Sequence, residues 1–152
     1  MDLTYDFNSN LQNALPHTFD FYHLGSVELK PMPPLTVLPE PIELNGVTGI
    51  AYQFKGDFQG LLLLLVASEL DVSTYSEMGN IIASRLANSL QSKEGLDVLI
   101  TPPKVLERAQ VARIIQSNPN QIYSAYDHIL ENLVVPVQTL LFPNWGEGSG
   151  NA

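Results

Sequence analysis

Cysteine is absent from this chain of 152 residues, which excludes disulfides and thiolate metal sites and fits a reducing compartment. Cations are scarce: seven Lys and Arg stand against 16 Asp and Glu, for a formal charge of -9. So few cations cannot displace counterions from a phosphate backbone, which excludes nucleic acid as a partner. Long apolar runs are missing too. The most apolar stretch, Leu61 to Ala67, falls far short of the roughly 20 residues that cross a bilayer, and no membrane partner is expected. Met1 to Asn13 has neither the basic start nor the apolar middle of a secretory signal, so the expected location is the cytoplasm. His17, His23 and His128 are scattered without ligand spacing, and there is no Gly-rich phosphate loop or nucleophile elbow. No metal site is therefore expected in the chain itself. What remains is a 45% hydrophobic, 15% charged composition that suits one folded domain over 1–152.

Along the chain, Met1 to Leu15 mixes polar and apolar residues and reads as a frayed end or a short, weakly docked helix. His17 to Leu29 can supply a strand through Phe19, Phe21, Tyr22, Leu24 and Val27. Pro31, Pro33, Pro34, Pro39 and Pro41 then predict a sheet edge or an extended connection. From Val47, period-two alternation through Thr48, Ile50, Tyr52 and Phe54 predicts a hairpin that turns at Lys55-Gly56-Asp57. Its return strand, Phe58 to Ala67, contains five consecutive leucines, Leu61 to Leu65, the pattern of a strand covered on both faces. A sticky, self-associating edge is the competing reading. Leu96 to Thr101 reads as a short strand closed by Pro102-Pro103. Lys104 to Gln116 reads as a helix burying Leu106, Ala109, Ala112 and Ile115. Gln121 to Leu130 fits a helix or a strand, and strand is favoured. Leu133 to Phe142 is a strand whose Pro136 points to an edge or a bulge. A Gly-rich tail from about residue 144 is expected to be mobile.

The stretch Ser73 to Leu90 organises the rest. At about 100° per residue, Tyr75, Met78, Gly79, Ile82, Ala83, Leu86 and Leu90 form the face that must pack on the sheet. Ser73, Glu77, Asn80, Ser84 and Asn88 form a polar stripe opposite, with Ile81 beside Glu77 and Asn80. Ser and Asn compete with the helix for backbone hydrogen bonds, so a stripe built from them asks for a reason other than helix stability. Docking of another protein is one reason. The plainer alternative makes Glu77 part of a capping box with Thr74, Asn80 an ordinary surface residue, and Ile81 a residue covered by a loop.

The spacing Ser73-x3-Glu77-x2-Asn80-x22-Pro103 resembles the signature of the CheC, CheX and FliY family of chemotaxis phosphatases. The run Glu77-Met78-Gly79-Asn80-Ile81-Ile82, followed by Leu86 and Leu90, is similar to that family as well. A single copy of the motif resembles the CheX branch. Ser84 departs from the pattern, standing where many members have Gly. The resemblance implies an α/β chain of α+β type, a CheC-like fold with helices on a mixed, largely antiparallel sheet, and a homodimer.

The resemblance also implies a reaction: hydrolysis of the aspartyl phosphate of a CheY-like response regulator in two-component signalling. Asn80 would hold the attacking water, and Glu77 would pair with the regulator's active-site Lys. Ile81 and Ser84 would touch the partner, while Ser73, as a helix cap, and Pro103, ending a strand and opening the next helix, would be structural. The Mg²⁺ would belong to the regulator, with no cofactor in this chain. A non-catalytic adaptor that binds a receiver domain or another signalling protein is the alternative.

Overall fold

The computed structural model describes residues 2–29, 47–67, 71–118 and 120–145. The proline-rich stretch from Pro31 to Pro41 and the tail after Trp145 lie outside the described residues. Seven strands form one antiparallel sheet: β1 (Ser26–Leu29), β2 (Val47–Gly56), β3 (Gly60–Ala67), β4 (Val98–Ile100), β5 (Lys104–Leu106), β6 (Ile122–Leu130) and β7 (Leu133–Phe142). Their order is β1-β6-β7-β3-β2-β4, and β5 also pairs with β2.

The leucine run explains the layering. β3 lies inside the sheet, hydrogen-bonded to β2 on one side and β7 on the other, so it is no edge. Its alternate residues enter two separate cores. Leu62 and Leu64 pack with Ile50, Tyr52 and Phe54 beneath the long helix α3 (Val72–Glu94). Leu61, Leu63 and Leu65 pack on the opposite face with Val111 and Ile114 of α4 (Arg108–Ser117). Both faces being apolar, the strand needs no polar alternation. Each fully buried leucine contributes about 1.5–3 kcal/mol from the apolar surface it removes from water.

The N-terminal segment differs from expectation. Leu3–Ser9 (α1), a π-helical segment at Asn10–Ala14 and Leu15–Phe21 (α2) run as one helical rod, and Phe7, Leu11, Leu15 and Phe19 are all buried. These four residues repeat every four positions, so in a pure α-helix the stripe would drift by about 40° per step. The π turn, in which the Leu15 N–H donates to the Asn10 carbonyl, takes up the extra residue and brings the stripe back onto the core. Pro16 falls at the start of α2, where a proline is tolerated. The segment is thus neither frayed nor weakly docked, and only Ser26–Leu29 of the expected strand from His17 is extended.

The second helix also begins later than its pattern suggested. Lys104–Leu106 is strand β5, paired with Gly49–Ala51 of β2, and Glu107 caps α4 in a capping box with Gln110. Pro102 and Pro103 split what would otherwise be one strand along β2, because two successive residues without N–H groups cannot continue a ladder. The buried face of α4 is therefore Val111 and Ile114, and Ala109 is exposed.

Gln121 to Leu130 resolves as strand. Pro136 lies in β7 opposite Asp127 of β6, beyond the Gln138–Phe142 stretch over which β7 pairs with β3, so β7 is paired on one side only at the proline. Trp145 is buried against Phe142, and its backbone N–H donates to the Gln59 carbonyl.

Candidate functional site

Helix α3 buries Tyr75, Met78, Gly79, Ile82, Ala83, Leu86, Ala87 and Leu90, the face expected from its periodicity with Ala87 added. Its start is capped by Asp71 rather than Ser73. The Asp71 carboxylate accepts the Ser73 backbone N–H at 3.0 Å and the Thr74 hydroxyl at 3.0 Å, while the Ser73 side chain is exposed. Gly95 ends the helix in the left-handed conformation, φ 68°, where glycine carries no Cβ penalty.

Two contacts set the height of α3 above the sheet where Glu77 and Asn80 stand. Tyr52 rises from β2, and its hydroxyl donates to the Ser76 carbonyl, one turn before Asn80. Burial pushes this phenol well above its ordinary pKa, so it stays a neutral donor. Gly79 makes the approach possible, because a Cβ there would stand 2.4 Å from the Tyr52 ring. Nearby, the Tyr75 hydroxyl meets buried His128 Nδ1 at 3.0 Å, and His128 Nε2 meets the Leu24 carbonyl. With Nε2 donating to that carbonyl, neutral His128 accepts the Tyr75 proton at Nδ1. Burial lowers the imidazole pKa and raises that of Tyr75, which favours this neutral pair. The network ties the first turns of α3 to β6 and to the chain leaving α2.

The N-terminal rod packs antiparallel along α3. Lys93 meets Asp6 at 2.9 Å, Ser89 meets Asn10 at 3.0 Å and Arg85 meets Thr18 at 2.9 Å, so the partner number falls on α3 as it rises on the rod. The rod stops at Phe21, where Tyr22 and His23 turn the chain and His23 takes φ 57°. Among the described residues nothing continues the rod over the first half of α3 beyond that point.

There a groove of about 360 Å³ opens between the end of α2 and α3. Glu77, Asn80, Ile81 and Ser84 all line it, together with Thr18, Tyr22, Arg85 and Asn88. Glu77 and Asn80 are exposed, and as an i, i+3 pair they are neighbours on the helix surface. Ile81 is half-buried, packed against the core beneath. Ser73 and Pro103 lie outside the groove, and Pro103 joins β4 to β5 instead of opening a helix. Sequence reasoning missed Arg85, Thr18 and Tyr22. Arg85 follows Ile81 at i+4 and was available from that spacing; Thr18 and Tyr22 were hidden by the strand reading of their segment.

The groove offers a carboxylate, two amides, three hydroxyls and a guanidinium, which can orient water and charged partners. Among the described residues no group of His, Cys, Asp or Glu could hold a metal ion. No described helix is long and apolar enough to cross a membrane.

The backbone finds close counterparts among solved structures. A chain of the CheX–CheY complex with BeF3 and Mg²⁺ from Borrelia burgdorferi superposes with a TM-score of 0.60 at 18% identity, over 93% of this chain and 97% of the other. FliY from Thermotoga maritima gives 0.59 at 15% identity, over 92% and 90%. The chain has the CheC/CheX/FliY fold. A chain of the FliM–SpeE complex from H. pylori shares this CheX-like fold, with a TM-score of 0.54 at 12% identity over 90% and 84%. No protein-family model matches the sequence, and no curated protein matches it. The CheX-like fold is therefore held here by a sequence far diverged from those of the superposed proteins.

Proposed function

We propose that this protein is a phosphatase for the aspartyl phosphate of a CheY-like response regulator, and that α3 enters the partner's active site. The observation that carries the reading is the placement of Glu77 and Asn80 side by side on the first half of α3, lining one groove. A chain with the same fold occurring in a CheX–CheY complex supports it.

An acyl phosphate is already activated, so catalysis needs chiefly a water held in line with the P–O bond that breaks. The Asn80 amide is suited to this, being uncharged beside an anionic phosphoryl group and offering both a donor and an acceptor. Water oxygen bonds to phosphorus, the bond to the aspartyl oxygen breaks, and the electron pair leaves with the regenerated carboxylate. The water's proton goes to inorganic phosphate. Glu77 pairs with a cation of the partner and fixes the inserted helix. The Mg²⁺ that offsets phosphoryl charge belongs to the partner in this reading.

The test follows decay of a phosphorylated receiver domain from the same cell. Wild type is expected to accelerate it, Asn80→Ala to lose turnover while keeping affinity, and Glu77→Ala to lose both. No acceleration of any receiver defeats the enzyme reading, and full activity in Asn80→Ala removes that residue from the mechanism.

A non-catalytic adaptor is the second reading, favoured by the occurrence of this fold in a FliM–SpeE complex. Tight receiver binding without accelerated decay would select it. A homodimer is proposed through the β4/β5 side of the sheet, where Leu99 and Val105 are exposed. Unpaired edges carrying apolar residues are templates for association. A monomer by sedimentation would refute the dimer.

A further inference from the structure

Two large aromatic side chains stand in solvent at the end of α2. Phe21 is 75% exposed and Tyr22 56%, and their rings pack edge to face with centroids 5.1 Å apart. Such exposure offsets none of the free energy of folding, and aromatic residues are the ones most often found as anchors at interfaces. Tyr22 lines the groove that Glu77 and Asn80 line. Arg85 closes the same groove further along α3, where Thr18 steadies it through one guanidinium nitrogen. Among the described residues Arg85 pairs with that hydroxyl and with no carboxylate. Arg carries five donors, so most remain to be used. Glu77 and Arg85 are eight residues apart, about 12 Å along the helix axis. The groove is thus negative at one end and positive at the other, with Ile81 between.

We propose that Phe21, Tyr22 and Arg85 form the second wall of the docking surface. It would receive a receiver domain that presents an apolar patch to the aromatic pair, a cation to Glu77 and an anion to Arg85. This rests on the function proposed above and adds to it the residues that select the partner. The aromatic wall meets the partner beside the inserted helix, and the two charges fix its direction along α3. Neither Phe21 nor Tyr22 acts on the water, so their part is in affinity.

The experiment measures binding of a receiver domain activated with beryllofluoride and Mg²⁺, alongside decay of its phosphorylated form. Phe21→Ser with Tyr22→Ser is expected to weaken Kd at least about tenfold, the loss of one good anchor. The maximal rate at saturating receiver should stay within about threefold of wild type. Circular dichroism checks that the helices are retained. Arg85→Glu is expected to weaken binding strongly at low ionic strength and to lose part of that defect as salt is raised. Wild-type affinity in both variants, with wild type itself binding and hydrolysing, overturns the second wall and leaves the Glu77–Asn80 reading standing. Failure of wild type to bind any receiver overturns both.

Discussion

Replacing Gly79 by Ala tests how closely the position of Asn80 depends on the sheet beneath it. At an exposed helix position the change would stabilise by about 1 kcal/mol, because alanine loses less backbone entropy. Here the new Cβ would lie 2.4 Å from Tyr52 Cε2, 2.6 Å from its hydroxyl oxygen and 2.7 Å from Cζ. Relief needs a separation about 1 Å larger, near the ordinary carbon–carbon contact. Tyr52 cannot swing aside, since it is fully buried and its hydroxyl is held by the Ser76 carbonyl. Either α3 lifts or the hydroxyl loses its partner. Overpacking costs about 1–3 kcal/mol. A buried hydroxyl left unpaired adds about 1–3 kcal/mol. Subtracting the propensity gain leaves a net loss of about 1–5 kcal/mol. Urea denaturation should show this as a lower midpoint with an unchanged slope. In the phosphatase assay a lift of about 1 Å at Asn80 is worth up to roughly a hundredfold in rate. The same substitution made in a Tyr52→Ala background, where the ring is gone, should be neutral or stabilising. A Gly79→Ala protein more stable than wild type would refute the reasoning, because it would mean that the ring does not press on the helix.

Among the described residues the buried Tyr126 hydroxyl has no hydrogen-bond partner, so Tyr126→Phe is expected to stabilise by about 1 kcal/mol, read as a higher denaturation midpoint. Stability should fall as the pH drops below about 6.5, the ordinary histidine value, because burial lowers the His128 pKa and the unfolded chain takes up the proton first. The loss continues down to the folded pKa, and above about 6.5 the contribution is complete; His128→Gln should remove this part of the pH dependence in denaturation series at fixed ionic strength. Asp71→Ala removes the cap of α3 and should cost about 1 kcal/mol in thermal or urea unfolding, whereas Ser73→Ala should change little.

The elements that could be read from the chain were those with one strong period. Alternation in Ile50, Tyr52 and Phe54 and the run Leu61 to Leu65 identify the central hairpin, since a strand's side chains have no other way to reach a core. The spacing of Tyr75, Met78, Ile82, Leu86 and Leu90 identifies α3 and its buried face, and with it the side on which Glu77, Asn80 and Ser84 must stand. The N-terminal rod was illegible because its stripe repeats every four residues, which an α-helix alone cannot hold on one face. The start of α4 was misplaced because Lys104 to Leu106 has no helical or strand signal of its own; its pairing with β2 decides it.

Sequence alone therefore determined that Glu77, Asn80, Ile81 and Ser84 share one side of one helix, because that follows from 3.6 residues per turn. Only the tertiary structure decided that this side lines a groove shared with the end of α2. The rod ends at Phe21 opposite the first half of α3, placing Tyr22 across from the motif and Thr18 against Arg85 further along α3, and Tyr52 under Gly79 sets its height. Those contacts join residues tens of positions apart, and no local period encodes them.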